Sequence, residues 1–197
     1  EQHTIMKQDL IRRNISDSIS IKQELLENDN LIADVSKIAD LIIKAFINGN
    51  KLLFCGNGGS AADAQHLAAE FSGKYYLNRP ALQAEALNTN TSFITAVAND
   101  YSFDEVYARL IQGIGEKGDI LIGMSTSGNS KNVIKALEEA KKKNIITIGF
   151  TGKANGNMKS FCDYLINIPS DDTPRIQECH LMLGHAICEL VEKELFS

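Results

Sequence analysis

The chain has 197 residues, 44% of them hydrophobic and 23% charged, with a formal net charge of −5; that is room for one α/β core and the profile of an ordinary soluble globular protein. The acidic balance argues against a nucleic-acid surface, no apolar run approaches the roughly 20 residues that span a bilayer, and the N-terminus carries no signal-peptide pattern. Neither a nucleic-acid nor a membrane partner is expected, and four cysteines without a C-x-x-C pair or a disulfide framework read as reduced thiols of a cytoplasmic protein.

Apolar positions at Leu10, Ile11, Ile15, Ile19, Leu25 and Leu26 recur at a loose helical period, predicting an amphipathic helix from Met6 to Glu27. Asp29-Asn30 punctuates it, and the stronger period of Leu31, Ile32, Val35, Ile38, Ala39, Ile42, Ile43 and Phe46 predicts a second helix stopping at Asn48-Gly49-Asn50. Long leading helices of this kind pack on another subunit or cover a face of their own sheet. Periodicity alone leaves both open. Leu52 to Cys55 is a short apolar run suited to a buried parallel strand, followed by Gly56-Asn57-Gly58-Gly59, with Ser60 as N-cap of an Ala- and Leu-rich helix that Gly73 ends.

Past the loop Asn78-Arg79-Pro80, residues Leu82 to Leu87 predict a second strand. Thr91 to Ala98 reads as a short helix interrupted at Asn99-Asp100-Tyr101, and Phe103 to Ile114 as a longer one. Asp119 to Met124 is the third strand, leading at once into Ser125-Thr126-Ser127-Gly128-Asn129-Ser130 and a helix from Lys131 to Lys143. Ile145 to Phe150 and Tyr164 to Ile168 are the fourth and fifth strands. Asp171-Asp172-Thr173-Pro174 signals the start of a last helix from about Arg175 to Phe196. Alternating strands and helices imply a five-stranded parallel sheet in a three-layer α/β sandwich, with ligands at the carboxyl ends of the strands.

Chemistry concentrates in three places. The glycine loop and helix start after the first strand form a seat for an anion or an oxygen-rich ligand. The hydroxyls of Ser125, Thr126, Ser127 and Ser130 converge where a buried strand meets a helix N-terminus and read as a phosphate cradle, against the alternative of solvated serines around an N-cap. Gly56-Asn57-Gly58-Gly59-Ser60-Ala61 also fits the loose dinucleotide pattern G-x-G-x-x-A, but the second strand ends in Leu87-Asn88 without the acidic residue that would hold a ribose, and no P-loop is present.

His66 and Glu70, four apart, share a helix face one to two turns from that anion seat. Alone they would be a half-buried histidine beside a surface carboxylate. Their position, and the further candidates Gln177, His180 and His185 on the last helix, favour a divalent transition metal, zinc most readily. Cys179 and Cys188 on the same helix read as packing residues. Gln177 and His185 stand eight residues apart, about 12 Å along one helix. One ion reaches both only if Gln177 lies in a frayed first turn or if the two come from different subunits; the second reading is the expectation.

The stretches Cys55-Gly-Asn-Gly-Gly-Ser60, Ala98-Asn-Asp100, Ser125-Thr-Ser-Gly-Asn-Ser130 and Arg175-Ile-Gln-Glu-Cys-His180 with His185 together resemble the bacterial phosphoheptose isomerases of the sugar-isomerase (SIS) superfamily. That resemblance implies a flavodoxin-like single SIS domain over residues 1–197. It implies a cytoplasmic homotetramer with active sites at subunit interfaces, residues 1–50 packing on the sheet and on a neighbouring subunit. The implied activity is conversion of sedoheptulose 7-phosphate to D-glycero-D-manno-heptose 7-phosphate, toward nucleotide-activated heptose for lipopolysaccharide or capsule.

The zinc ligands implied are His66, Glu70, Gln177 and His185. The substrate contacts fall on Asn57, Gly58, Gly59, Glu70, Asn99, Asp100, Ser125, Thr126, Ser127, Ser130 and Gln177. Isomerisation needs a base that moves a proton between C1 and C2 and an acid–base group at the carbonyl oxygen, roles that fall to Glu70 and His185. A non-catalytic SIS module that senses a phosphosugar or binds a protein partner, like the replication-initiator-binding relative of the same fold, is the alternative; the presence of both Glu70 and His185 speaks against it.

Overall fold

A computed structural model describes residues 2–197. In chain order it contains α1 (Gln2–Leu26), α2 (Asp29–Ile47), β1 (Leu52–Gly56), α3 (Gly59–Ser72), β2 (Ala84–Ala86), α4 (Thr91–Asp100), α5 (Val106–Ile114), β3 (Ile120–Ser125), α6 (Lys131–Lys142), β4 (Ile146–Thr151), β5 (Tyr164–Asn167) and α7 (Thr173–Phe196). The five strands form one parallel sheet in the order β2-β1-β3-β4-β5, as the alternation of strands and helices predicts.

Why β1 and β3 are buried along their whole length is plain from what covers them. Alternate side chains of β1 and β3 point to opposite faces: Leu52, Phe54, Ile120 and Ile122 pack with α2, α3 and α7, while Leu53, Cys55 and Leu121 pack with α4, α5 and α6. Both faces are dry, so neither strand shows an alternating polar pattern. At the amino ends Asp119, fully buried, accepts from the backbone N–H groups of Lys51 and Glu116 and pairs with the Lys51 ammonium at 2.7 Å, pinning β3 to the start of β1.

From β1 the chain runs outward to β2, then crosses back to the other side of β1 to form β3. The carboxyl ends of β1 and β3 therefore flank the topological switch point, where open parallel sheets hold their ligands. Both loops singled out in the sequence emerge there.

Three sequence expectations change. α3 begins at Gly59 with Gly58 at the N-cap, because Ser60 and Ala61 already donate to the Asn57 carbonyl; Ser60 is buried in the first turn and is not the cap. α4 continues through Asn99 and Asp100 and ends at Tyr101, and a short 3-10 turn over Phe103–Glu105 precedes α5. Of the two leading helices, α2 packs on the sheet through Val35, Ile38, Ile42 and Ile43, whereas α1 lies outside it, against α2 and α7, with Ile5, Met6, Leu10, Ile11, Ile15 and Ile19 exposed. No helix among the described residues is long and apolar enough to cross a membrane.

Candidate active site

α3 and α7 lie side by side and run in the same direction. Gln177 sits over Gly59, Gly184 lies against Leu67, and His185 faces His66. Gly184 permits this approach: a Cβ there would come 2.5 Å from the Leu67 side chain, so any larger residue would push the helices apart. His66 and Glu70, on successive turns of α3, thereby meet His185 from α7.

The three side chains form a compact donor group. His66 Nε2 stands 3.0 Å from Glu70 Oε1 and 3.2 Å from His185 Nε2, and His185 Nε2 is 4.0 Å from the same carboxylate oxygen. Two imidazole nitrogens at 3.2 Å cannot both be protonated without repulsion. Burial first, and then the neighbouring His66, pull the His185 pKa below its ordinary value while Glu70 opposes them, which favours the neutral, ligating imidazole. A tetrahedral zinc with bonds of about 2.0–2.2 Å sets its donors about 3.3–3.6 Å apart. The three observed separations bracket that edge, and two imidazoles with one carboxylate are donors zinc accepts.

His180 takes no part. It is buried on the opposite side of α7, its Nε2–H donating to the Thr151 carbonyl at 3.0 Å and its ring 5.5 Å from that of Phe150. Gln177 is also separate: its amide lies against Gly59 at the start of α3, about 12 Å along α7 from His185. Glu70 and His185, by contrast, meet within one chain, so the expectation of ligands from different subunits does not extend to that pair.

At the end of β3 three of the four expected hydroxyls, those of Ser125, Ser127 and Ser130, gather, and the Thr126 hydroxyl makes no bond to them. Ser125 Oγ is 2.8 Å from Ser130 Oγ and 3.5 Å from Ser127 Oγ, immediately before the N-terminus of α6, and Ser130 spends no side-chain bond on capping that helix. Ser127 Oγ accepts from the Asn129 N–H at 3.2 Å. Gly128 makes the turn at φ +68°, and a Cβ on it would lie 1.9 Å from the Asn155 carbonyl oxygen. The loop after β4 thus closes over the serine loop with no space for a side chain between them.

The Asn57 side chain already has partners within the chain. Its side-chain amide is paired both ways with Asn132, at 2.8 and 2.9 Å, while the Tyr107 hydroxyl donates to the Gly56 carbonyl at 2.6 Å. The pair ties the glycine loop to the first turn of α6. Asn99 and Asp100 are exposed at the end of α4, where the Asn99 amide donates to Asp100; the single chain does not bring them into bonding contact with either cluster.

Residues 16–152 match the SIS domain family. A phosphoheptose isomerase 2 of Campylobacter jejuni is 52% identical over 94% of this chain and 92% of its own length, and a phosphoheptose isomerase of Clostridium acetobutylicum is 49% identical over 94% and 95%. The chain belongs to the phosphoheptose isomerase family. Solved structures agree: the phosphoheptose isomerase of Neisseria gonorrhoeae superposes with a TM-score of 0.89 at 41% identity, covering 94% of this chain and 98% of that one. A phosphoheptose isomerase from Francisella tularensis gives a TM-score of 0.90 at 32% identity, covering 94% and 97%.

Several residues around this phosphoheptose isomerase site escape the sequence reading. Asn132 and Tyr107 support the glycine loop, and Asp63, one turn before His66, has a buried Oδ2 without a hydrogen-bond partner and a pKa raised by burial against the pull of His66. Tyr75 stacks on His185 with ring centroids 5.5 Å apart. Asn132 left a signal, a polar residue in the buried first turn of an amphipathic helix. Tyr75 left none, because its partner is 110 positions away.

Proposed function

We infer that this protein is an aldose–ketose isomerase converting sedoheptulose 7-phosphate to D-glycero-D-manno-heptose 7-phosphate, at the start of a route to nucleotide-activated heptose for surface polysaccharide. The observation that carries the reading is the convergence of His66, Glu70 and His185 on two neighbouring helices, their donor atoms all within 4.8 Å of one another, in a member of the phosphoheptose isomerase family. A module that only bound a phosphosugar would have no use for a carboxylate and two imidazoles beside it.

The labour divides between two clusters. Ser125, Thr126, Ser127 and Ser130, with the N–H groups that open α6, hold the phosphate. The backbone at Asn57, Gly58 and Gly59, together with Gln177, Asn99 and Asp100, contacts the sugar. Glu70 turns Oε1 to the two imidazoles, which leaves Oε2 to take the proton from C1 and return it at C2. His185 serves as acid–base group at the carbonyl oxygen. Zinc held by His66, Glu70 and His185 would polarise that carbonyl and lower the cost of the negative charge that develops there.

Gln177 reaches an ion at this group only from a second copy of the chain. The exposed apolar stripe of α1 supports such an assembly, which we take to be a cytoplasmic homotetramer of single SIS units with sites at subunit interfaces. The reading is tested by presenting the zinc-loaded protein with sedoheptulose 7-phosphate. Formation of the aldoheptose phosphate, abolished by a chelator and restored by zinc, is the expected result; binding without conversion would return the protein to the non-catalytic class.

A further inference from the structure

We propose that the buried pair Arg79–Glu192 is a positioning device for the His66–Glu70–His185 group, acting on Glu70 through the end of α3 and on His185 through Tyr75. This rests on reading that group as a metal site. Both side chains of the pair are 2% exposed, and Arg79 Nε donates to Glu192 Oε1 at 2.9 Å. Glu192 also accepts three successive backbone N–H groups, from Tyr75 at 2.9 Å, Tyr76 at 2.8 Å and Leu77 at 3.0 Å. Burial raises its pKa, but these donors and the guanidinium outweigh burial and hold it below the usual range.

Arg79 spends its other donors on carbonyls at the end of α3 and on that of Pro80 in the following loop. Nη2 donates to the Glu70 carbonyl at 2.8 Å, and Nη1 to the carbonyls of Phe71, Gly73 and Pro80 at 2.7, 3.1 and 3.0 Å. A helix C-terminus leaves such carbonyls without partners and favours a cation, so Arg79 by itself is a cap. The carboxylate adds something a cap does not require. Glu192 lies on α7 seven residues after His185, so its bonds fasten the 73–80 loop to the helix that carries the third donor. Fixing three consecutive N–H groups sets the backbone direction at Tyr75, whose ring lies against His185 at 5.5 Å and 23°. One ion pair therefore touches the main chain of one donor residue and the residue that packs on the imidazole of another. Removing a group that orients a metal's ligands typically costs about 10–100-fold in affinity.

Cobalt(II) in place of zinc gives a direct readout, since its absorption reports ligand geometry independently of turnover. Wild-type protein is expected to bind one cobalt per site. Glu192→Gln, which turns an amide N–H against the backbone donors, and Tyr75→Ala, which removes only the ring, are each expected to weaken cobalt binding about 10–100-fold and to shift its bands. Tyr75→Phe keeps the stacked ring and should retain both affinity and spectrum. If Glu192→Gln does not fold, Tyr75→Ala decides, because the bonds from residues 75–77 to Glu192 are backbone bonds. Variants that lose thermal stability but keep wild-type cobalt affinity and spectrum would overturn the proposal and leave the metal site standing. A wild type that takes up no cobalt or zinc would overturn the metal reading and the proposal with it.

Discussion

Ser125 and Ser127 carry the proposed phosphate seat: two hydroxyls at the end of a buried strand, followed by a helix whose N-cap Ser130 makes no capping side-chain bond. Each hydroxyl that bonds a charged oxygen is worth about 1.5–3 kcal/mol. Replacing either serine by Ala should raise KM by about 10- to 150-fold and leave kcat nearly unchanged; steady-state kinetics in which kcat falls at constant KM would move the phosphate elsewhere. His180, suggested by the sequence as a candidate ligand, is instead a core residue. Burial, against its bond to the Thr151 carbonyl, pulls its pKa down from 6.5 to about 4. The native state therefore stays unprotonated where the unfolded chain binds a proton. Its contribution is constant above pH 6.5 and is lost as pH falls from there to about 4, by up to about 3 kcal/mol. Denaturant titrations of His180→Asn should show less acid destabilisation over that window than the wild type. Equal pH dependence would mean that His180 is not held neutral.

At the scale of elements the sequence was most readable where one period dominated. The five apolar runs became five parallel strands, and α2, with its continuous stripe, covers the sheet, one of the two placements its period allows. The limits of legibility are equally physical. Ser60 looks like a cap because its hydroxyl suits that place, but the helix starts where the Asn57 carbonyl is free to accept. α1 has apolar residues at helical period and yet leaves them exposed, because it packs outside the sheet, against α2 and α7. His66, Glu70 and His185 are legible as a spacing and a list, whereas their meeting depends on Gly184 letting α7 close on α3. The Arg79–Glu192 pair spans 113 positions, and no local pattern announces it. Gly128 provides a test at this scale. A side chain there meets both a left-handed backbone at φ +68° and the Asn155 carbonyl, so Gly128→Ala should separate the two loops that frame the phosphate seat. The expected outcome is a large rise in KM with a lowered Tm; an unchanged KM would show that the crossing of these loops does not shape the seat.

Across the whole molecule, the proposed four-ligand site is the part that a single chain does not assemble. Three donors converge, and Gln177 stands about 12 Å along α7 from His185. Complementation separates the cases. Co-refolding Gln177→Ala with His185→Ala should restore part of the activity, because some mixed sites receive neither lesion, while Glu70→Gln with His185→Ala should stay inactive, those two residues meeting in one chain. A dead Gln177 and His185 mixture would remove the shared site. The central claim, that this site moves a proton between C1 and C2 of a heptulose phosphate, is tested most directly by following sedoheptulose 7-phosphate with the zinc-loaded protein in deuterium oxide by NMR. The account predicts an aldoheptose 7-phosphate whose C2 carries deuterium to the extent that the proton on Glu70 exchanges with solvent before it is returned, and no product with Glu70→Gln. Ketose that binds and is recovered unchanged, or product formed equally well by Glu70→Gln, would contradict it.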